Sequence, residues 1–232
     1  MSARPLLNVD GGESEEEPVE LYALADVVHV ACGGHAGDEA SMDRVTRACA
    51  SEGTRVGAHP SYEDREGFGR HAREVAPDEL TSQVAAQCAR LRAVASRAGV
   101  ELASVKAHGA LYHAAHASEA TARAFVAGVT RSLGNGLAIV GPAGGALESA
   151  ARAAGMPYQR EAFADRGVRP DGSLVPRGEP GALVVDPAIA AARTRELAAH
   201  GGVDTLCIHG DTPGAVAIAR AVRDALGPKV QG

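Results

Sequence analysis

The 232-residue chain is predicted to fold as a distorted or incomplete TIM-like (β/α)7 barrel, an α/β architecture forming one domain over 1–232. Three observations carry that expectation. Short apolar runs alternate with helical periodicities along the whole chain, the pattern of parallel strands joined by right-handed crossovers. Seven such strands can be read, each running into a polar or Gly-rich turn. His, Lys or Asp follows nearly every one of them. An open doubly wound sheet would confine its chemistry to one switch point, whereas a barrel gathers all its strand ends on one rim.

The elements follow in order. Leu6-Leu7-Asn8-Val9-Asp10 is a strand that delivers carboxylates into Gly11-Gly12-Glu13. Ser14 to Pro18 is expected as a solvated loop or first helical turn, because adjacent like charges repel when buried. A second strand, Asp26 to Ala31, leads into Cys32-Gly33-Gly34-His35-Ala36-Gly37-Asp38, and Glu39 to Glu52 reads as a helix with Met42, Val45 and Cys49 on one face. Thr54 to Ala58 is the third strand and delivers His59, followed by a long aperiodic segment to Ala76; such loops are usually functional. Pro77, Asp78 and Glu79 open a helix that keeps its spacing to Gly99. Leu102 to Lys106 is a strand delivering Ala107 to His113, and Ser118 can cap the helix that ends at Gly134. Leu137 to Val140 precedes Gly141-Pro142-Ala143-Gly144-Gly145 and a helix to Ala154. Tyr158 to Ala162 is a weaker strand before Asp165, Arg166 and a second long loop with Asp171, Gly172, Pro176 and Arg177. Asp186-Pro187 starts a helix through His200, Asp204 to Ile208 is the last strand, and His209-Gly210-Asp211 turns into the final helix.

Composition narrows the function classes. The net charge of −6 and the absence of a basic cluster argue against a nucleic-acid partner. No apolar run approaches a membrane span and no secretory h-region follows Met1, so a cytoplasmic protein is expected. Cys32, Cys49, Cys88 and Cys207 are irregularly spaced, which predicts reduced, partly buried thiols.

Asn8, Asp10, Glu13, His35, Asp38, His59, Lys106, His108, Asp165, Arg166, His209 and Asp211 make up the polar set at the strand ends. Each has a plainer alternative. Asp38, Asp186 and Asp211 are good helix N-caps, and His29 suits a satisfied histidine inside the barrel. His71, His113, His116 and His200 need no role. His35, His59, His108 and His209 share one edge, however, and histidines with a carboxylate there suit either a divalent metal or proton transfer. Lys106, in an inward strand, is expected to hold an anionic substrate group or transition-state charge. The Gly141–Gly145 turn lacks the ending of a phosphate-binding P-loop and reads as a plain strand–helix turn.

Five segments then resemble the LamB/YcsF family: Val30 to Asp38, Gly57 to Tyr62 with Gly67 to Arg70, Val105 to Tyr112, Glu161 to Arg166 with Asp171 to Arg177, and Cys207 to Asp211. The resemblance runs from about Leu7 to the last helix. It implies a barrel of the glycoside hydrolase/deacetylase type and one component of a bacterial ATP-dependent 5-oxoprolinase, which opens 5-oxoproline to L-glutamate beside 5-oxoprolinase subunits B and C. On the matching positions, Asp10, His35, Lys106, His108 and Asp165 are expected to be catalytic. Asn8, Glu13, His59, Arg70, Arg166, His209 and Asp211 are expected to bind substrate or nucleotide. ATP and Mg²⁺ or another divalent cation are the implied cofactors, with Asp10, His59 and His108 as candidate metal ligands and Lys106 and Arg166 offsetting phosphate charge. The family's usual Asp at the first strand is Leu6 here, its Phe before the first His is Gly34, and its Pro before the third is Ala107. Two alternatives stand beside this reading: a metal-dependent amide or sugar deacetylase, and a non-catalytic lactam-binding subunit.

Overall fold

Alternation along each strand decides which side chains enter the barrel and which meet the helices. In the computed structural model, which describes residues 4–169 and 173–229, the strands are β1 (Leu6–Gly11), β2 (Val27–Ala31), β3 (Arg55–His59), β4 (Leu102–Lys106), β5 (Ala138–Pro142), β6 (Tyr158–Phe163) and β7 (Thr205–His209). They pair in sequence order, all parallel, and β7 returns to β1, so the sheet closes. The expected (β/α)7 barrel is therefore the fold, and its sheet is closed rather than incomplete. Leu7, Val9, Val28, Val30, Val56, Ala58, Val105, Leu206 and Ile208 lie in the apolar core shared with the helices. The alternate positions Asn8, Asp10, His29, His59, Ser104, Lys106, Glu161, Thr205 and Cys207 are just as buried but bond to one another across the interior. A barrel interior is usually packed with Val, Ile and Leu; this one is polar.

The outer ring comprises α1 (Glu20–Leu24), α2 (Glu39–Ser51), α3 (Pro77–Arg97), α4 (Gly109–Ala117), α5 (Glu119–Leu133), α6 (Gly145–Ala153), α7 (Pro187–His200) and α8 (Ala215–Leu226). Asp38 caps α2 in a reciprocal capping box, Ser118 caps α5 and Asp186 caps α7, as their side-chain chemistry predicts. Three local expectations change. α4 begins directly after His108, where a turn was expected; its Leu111, Tyr112 and Ala115 are buried, and the Gly and His at its start hide that short pattern. α1 is a five-residue helix the sequence does not announce. Asp211 does not cap α8, whose N-cap is Gly214. In the Gly141–Gly145 segment, Gly141 and Pro142 end β5, Ala143 and Gly144 make a short turn and Gly145 opens α6, and Glu148 accepts the Gly144 N–H at 2.8 Å. Asp171 and Gly172 lie outside the described residues. All four cysteines are free and buried, and among the described residues no helix is long and apolar enough to cross a membrane.

Leu6 opens β1, four residues before Asp10. At about 3.3 Å per residue it stands some 13 Å below the rim, so the departure there does not touch the rim chemistry. Near it, buried Asp26 accepts from the Leu7 N–H at 2.7 Å and from Arg223 at 2.8 Å, tying β1 to α8. Asp26→Ala would leave the largely buried Arg223 guanidinium without this carboxylate. The expected loss is about 3–5 kcal/mol of unfolding free energy in urea titrations, with the rim residues undisturbed.

Candidate functional site

Lys106, at the end of β4, sits inside the barrel with 2% of its surface exposed. A buried ammonium must be paired, and its Nζ lies 2.6 Å from Asp10 Oδ1 and 3.0 Å from both Glu161 Oε1 and Asn8 Oδ1. It also donates to Cys207 Sγ at 3.2 Å. Burial works against the charge, but Asp10, Cys207 and Glu161 hold the ammonium well above the ordinary lysine range. Asn8 completes the set, donating to Glu161 at 2.9 Å and to Thr205 at 2.7 Å. The expectation that Lys106 holds an anionic substrate group is corrected here: its donors are engaged by the protein's own carboxylates.

Above Lys106 the histidines gather on the rim. His59 Nδ1 donates to the Lys106 carbonyl at 2.8 Å, and His108 Nε2 donates to the Phe68 carbonyl at 2.9 Å. These bonds fix a hydrogen on those two nitrogens, so in the neutral rings His59 Nε2 and His108 Nδ1 are bare. The two bare atoms face each other at 3.1 Å. Glu13 Oε1 lies 3.1 Å from His108 Nδ1 and 3.7 Å from His59 Nε2, and Asp10 Oδ2 is 3.4 Å from His59 Nε2. Burial opposes the ionisation of Asp10, yet His59 and Lys106 hold it well below the usual carboxylate range; Glu13 is likewise lowered against its burial by His108 and His35. His59 Nε2, His108 Nδ1, Glu13 Oε1 and Asp10 Oδ2, all atoms able to bind a cation, therefore converge. Pairs of ligands around a zinc-sized ion stand about 3.3 Å apart, close to the edges of this set, and the ligand atoms of Glu13, His35, His59 and His108 all lie within 4.8 Å of one another.

His35, expected to be catalytic, stands behind this group rather than in the open. It is buried, its Nε2 meets Glu13 at 3.0 Å, and its ring stacks on His108 with centroids 3.6 Å apart. Burial lowers its pKa to about 4, so the ring is neutral at neutral pH. Gly34 leaves no free space beside it, because a Cβ there would collide with Ser61 and Gln87. The loop after β3 closes over His35 and His108. Phe68 takes a left-handed backbone (φ 53°), a strained conformation for a bulky residue, and presents its carbonyl to His108. A Cβ on the next residue, Gly69, would strike His35 and His108.

On the opposite side of the rim, Asp165 is fully buried and accepts from the His209 N–H at 2.9 Å, from His209 Nδ1 at 3.1 Å and from Thr212 Oγ1 at 2.6 Å. Burial opposes protonation of His209, but Asp165 outweighs it and raises the pKa. Asp165 is thus a positioning residue, and His209 Nε2 is the atom left for the cavity. Arg166 spends its fork on the Ala182 and Val175 carbonyls, holding the second long loop in place. Arg70 reaches Asp211.

These groups line one cavity of about 580 Å³, with Asp10, Glu13, Lys106 and Glu161 deep within it and Arg70, Arg166, Arg177 and His209 also on its walls. Of the expected residues, Asp10, Glu13, His59, Arg70, Lys106, His108, Arg166 and His209 line it, while Asn8, His35, Asp165 and Asp211 support from behind. His29 is satisfied on Ser104 at 2.9 Å, as expected of an interior histidine. Sequence reasoning missed Glu161, Tyr112, Phe163, Arg177 and Glu17. A charged residue at an inward position of β6 was the available signal for Glu161. Glu17 folds back from the expected solvated run to accept from the Gly12 N–H at 2.6 Å and from Tyr22 at 2.5 Å.

Two outcomes follow. Lys106→Met would strand two buried carboxylates and cost about 3–5 kcal/mol; adding Glu161→Gln should recover part of that loss in a double-mutant cycle read by urea unfolding. Burial raises Glu17 from the ordinary 4.5 to about 7. A raised carboxyl binds its proton more tightly in the folded chain, so stability falls as pH rises from about 4.5 to 7 and levels off above. Glu17→Gln should flatten that segment of the Tm-against-pH curve.

Comparison with known proteins completes the picture. The LamB/YcsF family profile matches residues 7–230. The A subunit of a 5-oxoprolinase from Streptomyces griseus is 44% identical, covering 95% of this chain and 94% of that protein. Its counterpart of the same name in Methylococcus capsulatus is 44% identical over 94% of this chain and 90% of the relative. The crystal structure of a lactam utilization protein from Thermus thermophilus superposes with a TM-score of 0.88 at 36% identity, covering 96% of each chain. The catalytic domain of a peptidoglycan N-acetylglucosamine deacetylase from Eubacterium rectale, 11% identical with a TM-score of 0.50 over 97% of this chain and 88% of that one, shares the fold.

Proposed function

The chain belongs to the LamB/YcsF family, and on that premise we propose that it is the ring-opening component of an ATP-dependent 5-oxoprolinase, hydrolysing the cyclic amide of 5-oxo-L-proline to L-glutamate. The relatives' names supply the substrate and imply further subunits; subunits B and C are the proposed partners. One observation carries the chemistry: His59 Nε2 and His108 Nδ1 face each other at 3.1 Å, with Glu13 3.1 Å from His108 and Asp10 3.4 Å from His59. Neutral rings in that arrangement repel unless a cation lies between them. His59, His108 and Glu13 would hold a divalent ion, with Asp10 at its flank. The two imidazole nitrogens favour zinc or another transition metal over Mg²⁺. When bound, such an ion supplies Lewis acidity toward an amide carbonyl and water.

The chain's own residues do the rest. Asp10, kept ionised by Lys106 and His59, accepts the proton of the water that adds to the lactam carbonyl carbon. As the carbon–nitrogen bond breaks, the electron pair goes to the ring nitrogen. His209 Nε2 gives that nitrogen a proton, while Asp165 holds the imidazole on its other side and favours the protonated ring. Of the residues expected to offset phosphate charge, Lys106 has its donors committed within the chain, and Arg166 commits Nε and Nη2 to two loop carbonyls. We therefore assign ATP and its Mg²⁺ to the partner subunits, which would activate the lactam that this chain opens.

Purified chain should contain about one equivalent of a divalent transition metal by elemental analysis, and His59→Ala and His108→Ala should both lose it. With subunits B and C, ATP, Mg²⁺ and 5-oxoproline, His209→Asn should keep the metal and lower glutamate formation about 10²–10⁴-fold. Wild-type metal content and turnover in both His→Ala variants would end this reading. Release of acetate from N-acetylated sugars without ATP would favour the deacetylase instead, and binding of 5-oxoproline with no turnover in the complete assembly would favour a non-catalytic role.

A further inference from the structure

The cavity is electrically polar from floor to mouth. Asp10, Glu13 and Glu161 line its deep end, while Arg70 and Arg177 line it from the two long loops. Those loops are far apart in sequence and are joined through one atom: Asp211 Oδ2 accepts from Arg70 Nη2 and from Arg177 Nη1, both at 2.8 Å. Asp211 itself is outside the cavity lining. Two guanidiniums on one carboxylate leave an excess positive charge. Their remaining N–H groups have no hydrogen-bond partner among the described residues. The Arg70 guanidinium lies 4.8 Å over the Phe68 ring, and Phe68 is anchored to His108 through its carbonyl, so the arginine is placed relative to the histidine group. Lys106, also in the cavity, is engaged by buried carboxylates, and Arg166 spends Nε and Nη2 on the Ala182 and Val175 carbonyls.

We propose that Arg70 and Arg177, oriented together by Asp211, are the anchor for the carboxylate of the cyclic amide and select lactams that carry one. This rests on the ring-opening reading and deepens it. A carboxylate entering the cavity is repelled by the acidic floor and attracted to the free edges of the two forks, which bond carboxylates in planar, paired geometry. That places the acid at the mouth and turns the amide toward His59, His108 and His209. Arg177, which sequence reasoning passed over, becomes a specificity residue on the same footing as Arg70.

Isothermal titration of the purified full-length chain with three ligands of one ring system tests this: 5-oxoproline, its neutral carboxamide, and 2-pyrrolidinone. The wild type should bind 5-oxoproline at least about tenfold more tightly than either neutral lactam. Arg177→Met and Arg70→Met should each cut affinity for 5-oxoproline about tenfold or more and leave the neutral ligands unaffected. Arg177→Lys, which keeps the charge and loses the fork, should recover only part of the preference. Melting curves check that each variant folds. In the complete assembly the same substitutions should raise KM for 5-oxoproline more than they lower kcat. A preference that survives both methionine variants, or a wild type that binds acid and neutral lactams alike, overturns the anchor and leaves the ring-opening reading standing. A wild type that binds none of the three overturns both.

Discussion

The burial of one ammonium group organises this barrel. Lys106 is enclosed by seven strands, and a charge there is tolerated only because Asp10 and Glu161 approach it from β1 and β6. The consequence runs outward. Asp10, paired with Lys106 at 2.6 Å, also reaches His59 Nε2 at 3.4 Å, so the charge held at the centre extends to the rim. Glu161 is held in turn by Asn8, which Thr205 orients. The polar interior thus makes a fixed electrostatic floor from residues on β1, β4, β6 and β7. Buried ion networks of this kind are weak evidence for stability; here the network sets the charge of the cavity floor.

The second constraint is the pinning of imidazole hydrogens by carbonyl groups. His59 and His108 each spend one nitrogen on a backbone oxygen, from Lys106 and Phe68. Metal-binding histidines are usually fixed in this way, with the far nitrogen hydrogen-bonded so that the near one points its lone pair at the ion. The strained backbone at Phe68 is the local cost of bringing a carbonyl to His108, and Gly69 and Gly109 permit the close approach: the Gly69 carbonyl accepts from the Ala110 N–H at 2.9 Å. The loop after β3 is therefore part of the site's framework.

The fold was legible because strand and helix periods alternate cleanly and because unusual residues recur at each strand end. Alternation also made the inward placement of Lys106 readable. Sequence could not assign depth behind the rim. His35 and His59 look equivalent as histidines after strands, yet His59 lines the cavity and His35 supports Glu13 from behind, a distinction set by how the Phe68 loop packs. Asp165 and Asp211 likewise satisfy donors that belong to other elements: His209 and Thr212 for the first, Arg70 and Arg177 for the second. Pairings between residues 34 to 141 positions apart leave no local mark. The motif around His35 illustrates the limit. Its run of glycines leaves no opening beside Gly34, where Ser61 and Gln87 occupy the space and the glycine serves close packing.

The polarity of the cavity also bears on the division of labour within the proposed assembly. A triphosphate carries several negative charges, and the floor presents Asp10, Glu13 and Glu161 with their one interior cation already engaged. Among the described cavity-lining cations, Arg70 and Arg177 keep most of their donors unengaged and are tethered to Asp211, while Arg166 has Nε and Nη2 spent on loop carbonyls. The Gly-rich turn after β5, a candidate phosphate cradle, already has its Gly144 N–H bonded to Glu148. A lactam acid needs only one anionic anchor and a neutral amide at the floor, which is what this distribution of charge provides. The energy of ATP would then reach the ring as a change in the substrate made elsewhere, and the barrel's task reduces to orienting an activated amide between a cation-seeking cluster and a protonated histidine.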